Sequence, residues 1–315
     1  MRIAVVGSYG VGETMRTSRF PGPGETLTEG VLSVGHGGKG SNQAVAARRL
    51  GADVSFVTAL GEDAAAESAI DLWHTEGIDA SQVVTVEGAR TMTGMIIVDD
   101  DAENRIIIAP GALDHLTAAD ILSRKELIES ADAVIVSLEI PIDAAAEALR
   151  IGHAAGVLTV LNPAPARPIP SDIFDHVDLL TPNYTEARTI LVEDLSGLAD
   201  DSVDELALAL RTKTGSDVVL TNGGDGSIVA TSRGVSVTPP HVADALVDTT
   251  GAGDSFTAAL TVALIEGDDL ETAAKRAAEV GAFVVAREEV IPSLPHRREL
   301  SDQLWPTSNS STSDN

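Results

Sequence analysis

The stretch that decides the fold runs from residue 248 to residue 256 and reads DTTGAGDSF, with apolar residues at helical spacing after it. A small-residue turn therefore stands where a helix begins. The first N–H groups of a helix lack intrahelical partners and carry the positive end of its dipole, so an anion can approach Gly251, Ala252 and Gly253 closely. Asp254 follows directly, where its carboxylate can face the same anion. The pattern is typical of a phosphate site with a catalytic base, or of an ordinary capped helix with an aspartate in its first turn.

A second glycine-rich stretch, residues 35–43, reads GHGGKGSNQ and enters a predicted helix that ends near Leu50. Gly38 and Gly40 would let a ligand touch the backbone, and Asn42 offers both hydrogen-bond donors and an acceptor. The simpler interpretation is a tight connection with Lys39 in solvent. The Gly-x-x-x-x-Gly-Lys-Ser/Thr pattern of a P-loop does not fit this stretch.

Strand-like and helix-like segments alternate along nearly the whole chain, which predicts an α/β fold with a mainly parallel sheet between two helical layers. The predicted strands are Arg2–Gly7, Asp53–Ala59, Ala133–Leu138, Leu158–Leu161 and Asp217–Thr221. The predicted helices are Ser41–Leu50, Ala64–Glu76, Thr117–Glu129, Ile142–Ala155 and Asp204–Lys213.

Two segments break this alternation. Residues 10–35 are rich in glycine, proline and β-prone pieces, and Thr93–Val98 with Arg105–Ala109 has the pattern of a β-hairpin within residues 91–109. We expect both segments to form a small β-sheet lid on a single domain of residues 1–306. The Ser, Thr, Asn and Asp composition of residues 307–315 predicts a disordered tail.

Composition excludes several classes of function. The chain has 21 basic and 48 acidic residues among its 315, a net charge of −27, which repels nucleic acid and anionic lipid. The acidic excess fits either a solvated surface or adaptation to high salt. No apolar run is long enough to span a membrane, there is no cysteine, and the N-terminus has the pattern of a first strand instead of a signal peptide. We therefore expect a cytoplasmic protein without a nucleic-acid or membrane partner.

Three weaker patterns remain. The glycines after the first strand do not have the spacing of a dinucleotide fingerprint. Residues 221–226, reading TNGGDG, fit a turn. Asn183 and Glu186 stand three residues apart near a helix start, where they would either cap the helix or support a metal through water.

Together these motifs resemble the ribokinase family of carbohydrate kinases, from Ile3 to about Pro295. The two family signatures match residues 37–44, GGKGSNQA, and the stretch from Asp248 to Asp254. Further similar stretches are residues 23–26, PGET, residues 162–166, NPAPA, the pair Leu138-Glu139, and residues 181–183, TPN, followed by Glu186. The family fold is an α/β core with a β-sheet lid.

The resemblance implies transfer of the γ-phosphoryl group of ATP to a sugar hydroxymethyl group, with ribose as the leading candidate. It gives Asp254 the role of base and Gly251, Ala252 and Gly253 the role of anion hole. The residues it places at the sugar are Gly38, Lys39, Gly40, Ser41, Asn42, Glu139 and Asp254. Those it places at the nucleotide and its Mg²⁺ are Asn183, Glu186, Thr221, Asn222, Gly223, Gly224, Asp225, Gly226 and Gly253. A kinase of another sugar or of a nucleoside, and a catalytically silent sugar- or nucleotide-binding regulator, remain alternatives.

The resemblance also implies an activating monovalent cation such as K⁺ and a homodimer paired through the lid. The matching cation positions are Asp248, Thr250, Val284, Arg287, Glu289 and Ser293. Family members usually have glycine where this chain has Glu289, so the backbone angle that the cation site needs is in question.

A larger departure follows the first strand. Family members have Asn and Asp there to hold sugar hydroxyls, and this chain has Gly10 and Gly12. We expect a pocket that is wider and less polar at this end, unless Glu13 or Arg16 takes over the role. The identity of the sugar is open for this reason.

Overall fold

The computed structural model of the chain describes residues 1–101, 103–192, 194 and 202–306. The tail 307–315, for which the composition predicts disorder, lies outside the described residues. The described strands are β1 (Arg2–Val6), β2 (Gly10–Arg16), β3 (Val31–Gly37), β4 (Asp53–Val57), β5 (Ala59–Leu60), β6 (Val84–Thr85), β7 (Met92–Val98), β8 (Asn104–Ala109), β9 (Ala133–Ser137), β10 (Leu158–Asn162), β11 (Leu179–Leu180), β12 (Asp217–Thr221), β13 (Ser227–Thr231) and β14 (Gly234–Thr238). The described helices are α1 (Lys39–Arg49), α2 (Ala64–Glu76), α3 (Ala118–Leu122), α4 (Lys125–Glu129), α5 (Ile142–Ala155), α6 (Tyr184–Ile190), α7 (Val203–Thr214), α8 (Ala252–Ile265), α9 (Leu270–Val285) and α10 (Val290–Ser293).

The central sheet is mainly parallel. Its strand order is β14-β13-β12-β11-β10-β9-β1-β4, with parallel pairing from β12 to β4 and antiparallel pairing of β13 and β14 at one edge. Every residue of β1 from Ile3 onward is buried, and so is every residue of β9 from Ala133 onward, as expected for strands covered on both faces. Parallel strands end at the same sheet edge, so the loops after β1, β10 and β12 meet there.

Helices cover both faces of the sheet. On one face, α1, α2, α8 and α9 pack on strand residues such as Val5 and Phe56, while α3 to α7 pack with Val6 and Val136 on the other face. Neighbouring strand residues thus point to opposite cores, which follows from the two-residue period of a strand. The predicted three-layer α/β/α architecture is confirmed.

The two β-prone segments form a separate four-stranded sheet, which we call the lid sheet, with the order β3-β2-β7-β8. β7 and β8 pair antiparallel from Thr93 opposite Ala109 to Val98 opposite Asn104, so the predicted hairpin is confirmed. β2 pairs antiparallel with β3 and parallel with β7. No helix among the described residues has both the length and the apolar character that crossing a membrane requires.

One predicted helix, Thr117–Glu129, is wrong as a single element, because α3 ends at Leu122 and α4 begins at Lys125. The backbone carbonyl of Asp120 accepts hydrogen bonds from Ser123 Oγ (2.7 Å) and Arg124 Nη1 (2.7 Å). These side chains satisfy a carbonyl at the end of α3, and Arg124 Nε donates to the carbonyl of Gln82 in another loop. The local side-chain bonds compete with continued helix.

Candidate active site

Asp254 lies in the first turn of α8 and is only 6% exposed. Gly251 precedes the helix in a left-handed conformation (φ 81°) and has no side chain to cap the first turn. The Ala252 N–H donates to the carbonyl of Thr249 at 3.3 Å, and the Gly253 N–H that follows is left for another partner. An added Cβ at Gly253 would meet nothing within 4 Å among the described atoms, so the turn is open on that side.

Two side chains from α1 hold the Asp254 carboxylate. Asn42 Nδ2 donates to Asp254 Oδ2 at 2.8 Å, and Gln43 Nε2 lies 3.5 Å from Asp254 Oδ1. The two predicted glycine-rich turns therefore meet, although 212 residues separate Asn42 from Asp254. The structure brings the proposed base of one turn to the proposed sugar-binding amide of the other.

The pKa of Asp254 results from opposing effects of its surroundings. Burial raises the pKa of Asp254 to about 6, although Lys39 and the hydrogen bond from Asn42 act in the opposite direction. The negative charge of Asp254 in turn raises the pKa of the Lys39 ammonium group, against the effect of burial. Glu139 and Glu186 raise the pKa of both groups. A carboxyl group with a pKa just below neutrality suits proton abstraction at physiological pH.

Glu139 joins two segments at the same end of the sheet. Its Oε2 accepts hydrogen bonds from Ser8 Oγ (2.5 Å) and from the backbone N–H of Lys39 (3.0 Å). The sequence pattern did not single out Ser8, although a polar residue that directly follows a buried parallel strand is a usable signal. Glu139 thus fixes the start of α1 relative to the end of β1.

The glycines of the second motif allow a close approach within the protein itself. A Cβ on Gly38 would lie 2.6 Å from Tyr9 Cα, and one on Gly40 would lie 2.6 Å from the backbone of Gly7. The close approach that these glycines allow is to the end of β1, which packs tightly on α1. Whether their backbone groups contact a sugar stays a prediction.

Ser41 takes part in the contact between α1 and its neighbours. Its side chain is fully buried, its Oγ accepts a hydrogen bond from Trp73 Nε1 at 3.0 Å, and its N–H donates to the carbonyl of Ser8 at 2.9 Å. These bonds join α1 to α2 and to the end of β1. They give Ser41 a structural role, and its contact with the substrate stays a prediction.

A buried polar network continues from Gln43, which the sequence reasoning did not include among the site residues. Gln43 Nε2 donates to Asn162 Oδ1 at 3.2 Å, and Asn162 Nδ2 donates to the carbonyl of Thr181 at 3.0 Å. Gln43 Oε1 and Asn42 Oδ1 are buried without a hydrogen-bond partner in the structure. An unpaired buried oxygen is costly, so Asn42 Oδ1 is well suited to accept a ligand hydroxyl.

Asn183 and Glu186 form a capping box at the start of α6. Asn183 Oδ1 accepts from the Glu186 N–H at 2.9 Å, and the Glu186 carboxylate accepts from Asn183 N at 2.8 Å and Asn183 Nδ2 at 2.9 Å. Burial raises the pKa of Glu186, while the Asn183 N–H and Lys39 act against it. The capping alternative is therefore present, and the Glu186 charge also acts on Lys39 and Asp254.

The predicted nucleotide turn lies beside this box, because Asn183 pairs with Thr221 in an isolated β-bridge. Gly223 to Asp225 form a short 3-10 turn, and an added Cβ at Gly223 or Gly224 would meet nothing within 4 Å. Asn222 N donates to the carbonyl of Gly226 at 2.8 Å and closes the turn. A Cβ on Gly226 would lie 2.2 Å from the Thr238 carbonyl, so this glycine serves the turn itself.

The predicted cation positions surround the segment before α8. Asp248 Oδ1 accepts from Thr250 N (2.9 Å) and Thr250 Oγ1 (2.6 Å), the Asp248 N–H donates to the carbonyl of Val285, and Arg287 N donates to the carbonyl of Val284. Ser293 Oγ donates to the carbonyl of Val290 at 2.7 Å. Glu289 has φ 61° and ψ 146°, a glycine-like conformation that no other described non-glycine residue shares in the sign of φ. Glu289 thus holds a glycine-like backbone angle in spite of its side chain, and the cation site stays a prediction.

Gly10 and Gly12 differ in the space around them. A Cβ on Gly10 would lie 2.5 Å from Met92 Cε and 2.8 Å from the Met92 carbonyl, whereas one on Gly12 would meet Ile96 Cδ1 at an ordinary 3.6 Å. The expected wider pocket is therefore wrong at Gly10, because Met92 fills that space. The lid sheet offers apolar groups beside both positions.

The comparisons with known proteins agree with this geometry. The model of the pfkB family of carbohydrate kinases matches residues 2–297. A ribokinase from Haemophilus influenzae is 32% identical over 96% of this chain and 98% of its own length. A deoxyribokinase from Salmonella typhi is 32% identical over 96% of this chain and 99% of its own length. A bifunctional ribokinase/ribose-5-phosphate isomerase A from Fructilactobacillus sanfranciscensis is 35% identical over 95% of this chain, which spans 55% of that protein.

A solved structure has the same fold. The structure of Arabidopsis thaliana ribokinase complexed with ribose and ATP is similar with a TM-score of 0.87 at 29% identity, over 97% of this chain and 99% of that one. A match over nearly the full chain, by sequence and by fold, covers both glycine-rich turns, the central sheet and the lid sheet. The chain belongs to the pfkB family of carbohydrate kinases and is an ATP-dependent phosphotransferase that acts on a hydroxyl group.

Proposed function

We propose that the chain phosphorylates the hydroxymethyl group of ribose at the expense of ATP and forms ribose 5-phosphate. One observation carries the proposal: Asp254, buried at the start of α8, is held by Asn42 from the second glycine-rich turn. The relatives named ribokinase and the neighbour bound to ribose and ATP support ribose as the acceptor.

In the proposed reaction the sugar hydroxyl loses its proton to the Asp254 carboxylate, and its oxygen forms a bond to the γ-phosphorus. The bond between that phosphorus and the oxygen bridging to ADP breaks. The N–H group of Gly253, which has no partner among the described residues, donates to an oxygen of the transferred phosphoryl group, as a helix start does for other anions. Lys39 keeps a positive charge next to Asp254, which favours the ionised base before the sugar is deprotonated.

The sugar is held from several sides in this proposal. Glu139 lies where it can accept sugar hydroxyls in addition to its bonds from Ser8 and Lys39, because a carboxylate has about four acceptor sites. Asn42 Oδ1 accepts a further hydroxyl, which gives this buried oxygen a partner. Gly38 and Gly40 support these groups by letting α1 pack on β1.

Mg²⁺ is the expected partner of the nucleotide, and the residues present fit it. The described part of the chain has no group of three or more His, Cys, Asp or Glu side chains that could hold a metal. Mg²⁺ needs no such cage, because it keeps several waters and binds substrate phosphates plus one or two carboxylates. Glu186, with Asn183, would order that water shell beside the open turn at Gly223 and Gly224. When bound, Mg²⁺ neutralises phosphate charge.

An activating K⁺ is proposed at backbone carbonyls of the segment around Asp248 and Thr250 and the segment from Val284 to Ser293. The support is the backbone of Glu289, which keeps a glycine-like φ of 61° in spite of its side chain. Val290, the next residue, contacts Gly251: a Cβ added there would lie 2.6 Å from Val290 Cγ1. A conformational change in the cation segment would therefore alter the position of Gly251 in the anion hole.

A homodimer through the lid sheet is supported by its exposed apolar residues. Each of Val34, Met95 and Ile107 is next in sequence to a residue level with Gly12 in the lid sheet, so their side chains lie on the opposite face of the sheet. The exposed fractions of these three residues are 61%, 51% and 72%. A patch of this kind on an open sheet is a usual site of protein association. Light scattering at assay concentration would distinguish a dimer from a monomer.

A second substrate, 2-deoxyribose, is favoured by one observation. Gly10 and Gly12 offer no polar side chain, and Met92 and Ile96 fill or flank their space. A sugar that lacks a hydroxyl at this position leaves no polar group unpaired against that apolar surface. The relative named deoxyribokinase agrees with this alternative.

The test is ADP release with Mg·ATP over a panel of ribose, 2-deoxyribose, fructose, ribitol and adenosine, with Asp254→Asn as the background control. We expect ribose to give the highest kcat/KM. A higher value for 2-deoxyribose would select the second candidate, and activity with adenosine alone would indicate a nucleoside kinase. Absence of acceptor-dependent ADP release would contradict the proposed function.

A further inference from the structure

The lid sheet and the core are joined where two chain crossings touch. Residues 7–9 lead from β1 into β2, and Gly38 leads from β3 into α1. The two lid strands pair next to these crossings, with Gly10 opposite Gly37 and Val11 opposite His36. Gly38 leaves no room for a side chain, since a Cβ there would lie 2.6 Å from Tyr9 Cα. A change in the tilt of the lid sheet would therefore disturb this contact.

Tyr9 belongs to the core side of this junction. Its side chain is fully buried, and its ring packs edge-to-face on Trp73 with centroids 5.2 Å apart and planes at 78°. Trp73 packs in the same way on Phe56 of β4, at 4.9 Å and 81°. Three aromatic rings in this arrangement fix the Tyr9 ring relative to the central sheet.

His36 belongs to the lid side and reaches back to Tyr9. Tyr9 Oη lies 2.8 Å from His36 Nδ1, and their ring centroids are 5.9 Å apart. Burial lowers the pKa of His36, and burial with the nearby charge of Asp63 raises the pKa of Tyr9. Both groups are therefore neutral near pH 7, where the hydroxyl can donate to the imidazole. This hydrogen bond links a side chain of the lid sheet to the aromatic cluster of the core.

The opposite side of the same junction is the sugar site. Ser8, which precedes Tyr9, donates to Glu139, and so does the N–H of Lys39. Another lid crossing ends in the same corner, because Asp63 at the start of α2 accepts hydrogen bonds from Thr91 N (2.9 Å) and Thr91 Oγ1 (2.7 Å). The junction is thus tied on one side by Tyr9 and His36 and on the other by the residues that line the site.

We propose that Tyr9 and His36 form a hinge pin that fixes the angle of the lid sheet over Asp254. They are positioning residues, since the pair acts through the lid sheet and through Glu139. The inference rests on the proposed function where it concerns sugar affinity, and on the structure alone where it concerns the lid sheet. Losing the pin lets the lid sheet sample wrong angles, so it weakens sugar binding and leaves the chemical step of the bound complex largely intact.

The variants Tyr9→Phe, His36→Leu, their double mutant and the rescue variant His36→Asn test the pin. Asn places an amide acceptor near the position of Nδ1. Tyr184→Phe is a matched control, because Tyr184 is the other tyrosine of the chain and its hydroxyl accepts from Arg188 within α6. Each protein is assayed for the KM of ribose and of ATP, for kcat, and for amide hydrogen exchange of peptides from β2, β3 and β9.

We expect Tyr9→Phe to raise the ribose KM by about 3- to 10-fold, the usual effect of one lost buried hydrogen bond, with kcat changed less than about twofold. Tyr9→Phe removes the interactions of the hydroxyl with His36 and with Ser68, whereas His36→Leu removes only the first. The double mutant should therefore resemble Tyr9→Phe, and His36→Asn should recover part of the loss. Peptides of β2 and β3 should exchange faster while β9 stays unchanged, and Tyr184→Phe should change none of these values.

Unchanged exchange in β2 and β3 would overturn the pin, and so would additive effects of Tyr9→Phe and His36→Leu. Equal acceleration in β9 would do the same, because it would indicate a general loss of stability. The exchange measurement needs no substrate. An enzyme that does not phosphorylate ribose would therefore refute the proposed function. Hydrogen exchange would still test the hinge pin in that case.

Discussion

The pH dependence of the reaction follows from the environment of Asp254. With a pKa of about 6, the free carboxyl group is mostly ionised at pH 7 and mostly protonated at pH 5. If Asp254 is the base, kcat/KM for ribose should fall about tenfold for each pH unit below 6 and level off above 7, since kcat/KM reports ionisations of the free enzyme.

The position of this acid limb can be moved by one substitution. Lys39 lowers the pKa of Asp254 through its charge, so Lys39→Met should shift the limb to higher pH. Lys39→Arg keeps the charge and should leave the limb near its original position. Because Lys39 also lines the proposed sugar site, the level of activity will change in both variants, and only the position of the limb is informative.

The assay is initial-rate ADP formation between pH 5 and 9 at constant ionic strength, with ribose well below its KM. A flat profile between pH 5 and 7 would refute the role of Asp254 as the titrating base. A limb that Lys39→Met moves to lower pH would refute the electrostatic argument.

Other predictions test the glycine positions, the cation segment and the cost of the buried charge. Gly10→Asn should destabilise the protein by about 1–3 kcal/mol in denaturant unfolding, because the carbonyl of Met92 occupies the space of the new side chain. Gly12→Asp should fold normally and raise the preference for ribose over 2-deoxyribose by about 10- to 100-fold. An equal loss of stability in both variants would contradict this. Glu289→Gly should raise the unfolding free energy by about 1 kcal/mol, because it releases the backbone strain of φ 61°. Glu288 is the exposed neighbouring residue, and Glu288→Gly should lower the unfolding free energy. The reverse order would contradict the presence of strain at Glu289. Folding raises the pKa of Asp254 above its ordinary value of 3.8, so the ionised group destabilises the fold by about 3 kcal/mol above pH 6 and not below pH 3.8. Asp254→Asn should therefore raise Tm at pH 8 more than at pH 4, and an equal change at both pH values would count against the buried charge.

The sequence was most informative where burial is continuous. The apolar runs of β1, β9 and β10 located these strands to within two residues of their observed ends. The two-residue strand β11 and the edge strand β14 were missed, because neither has an apolar pattern long enough to stand out from a loop. The break between α3 and α4 is accompanied by a side-chain bond from Arg124 to the carbonyl of Gln82, a distant contact that a local pattern does not reveal.

The sequence predicted the motifs of the candidate site much better than the contacts between their residues. Both glycine-rich turns were found, but the bond from Asn42 to Asp254 joins residues that are distant in the sequence and depends on how α1 packs beside α8. Ser41 has the same polar side chain whether it faces a ligand or Trp73, so its residue type could not decide. Gly38 and Gly40 were identified correctly as sites of close approach, yet the approaching group is the end of β1.

The proposed reaction depends on the deprotonation of the sugar hydroxyl by Asp254. The most direct test is the steady-state rate of Asp254→Asn with saturating ribose and Mg·ATP, together with ribose binding by calorimetry. Asn is nearly the same size and can still be held in the buried site, so binding should change little. We expect a kcat lower by about 10²- to 10⁴-fold, the range expected for a lost general base. A variant that binds ribose and keeps a near-normal kcat would contradict it.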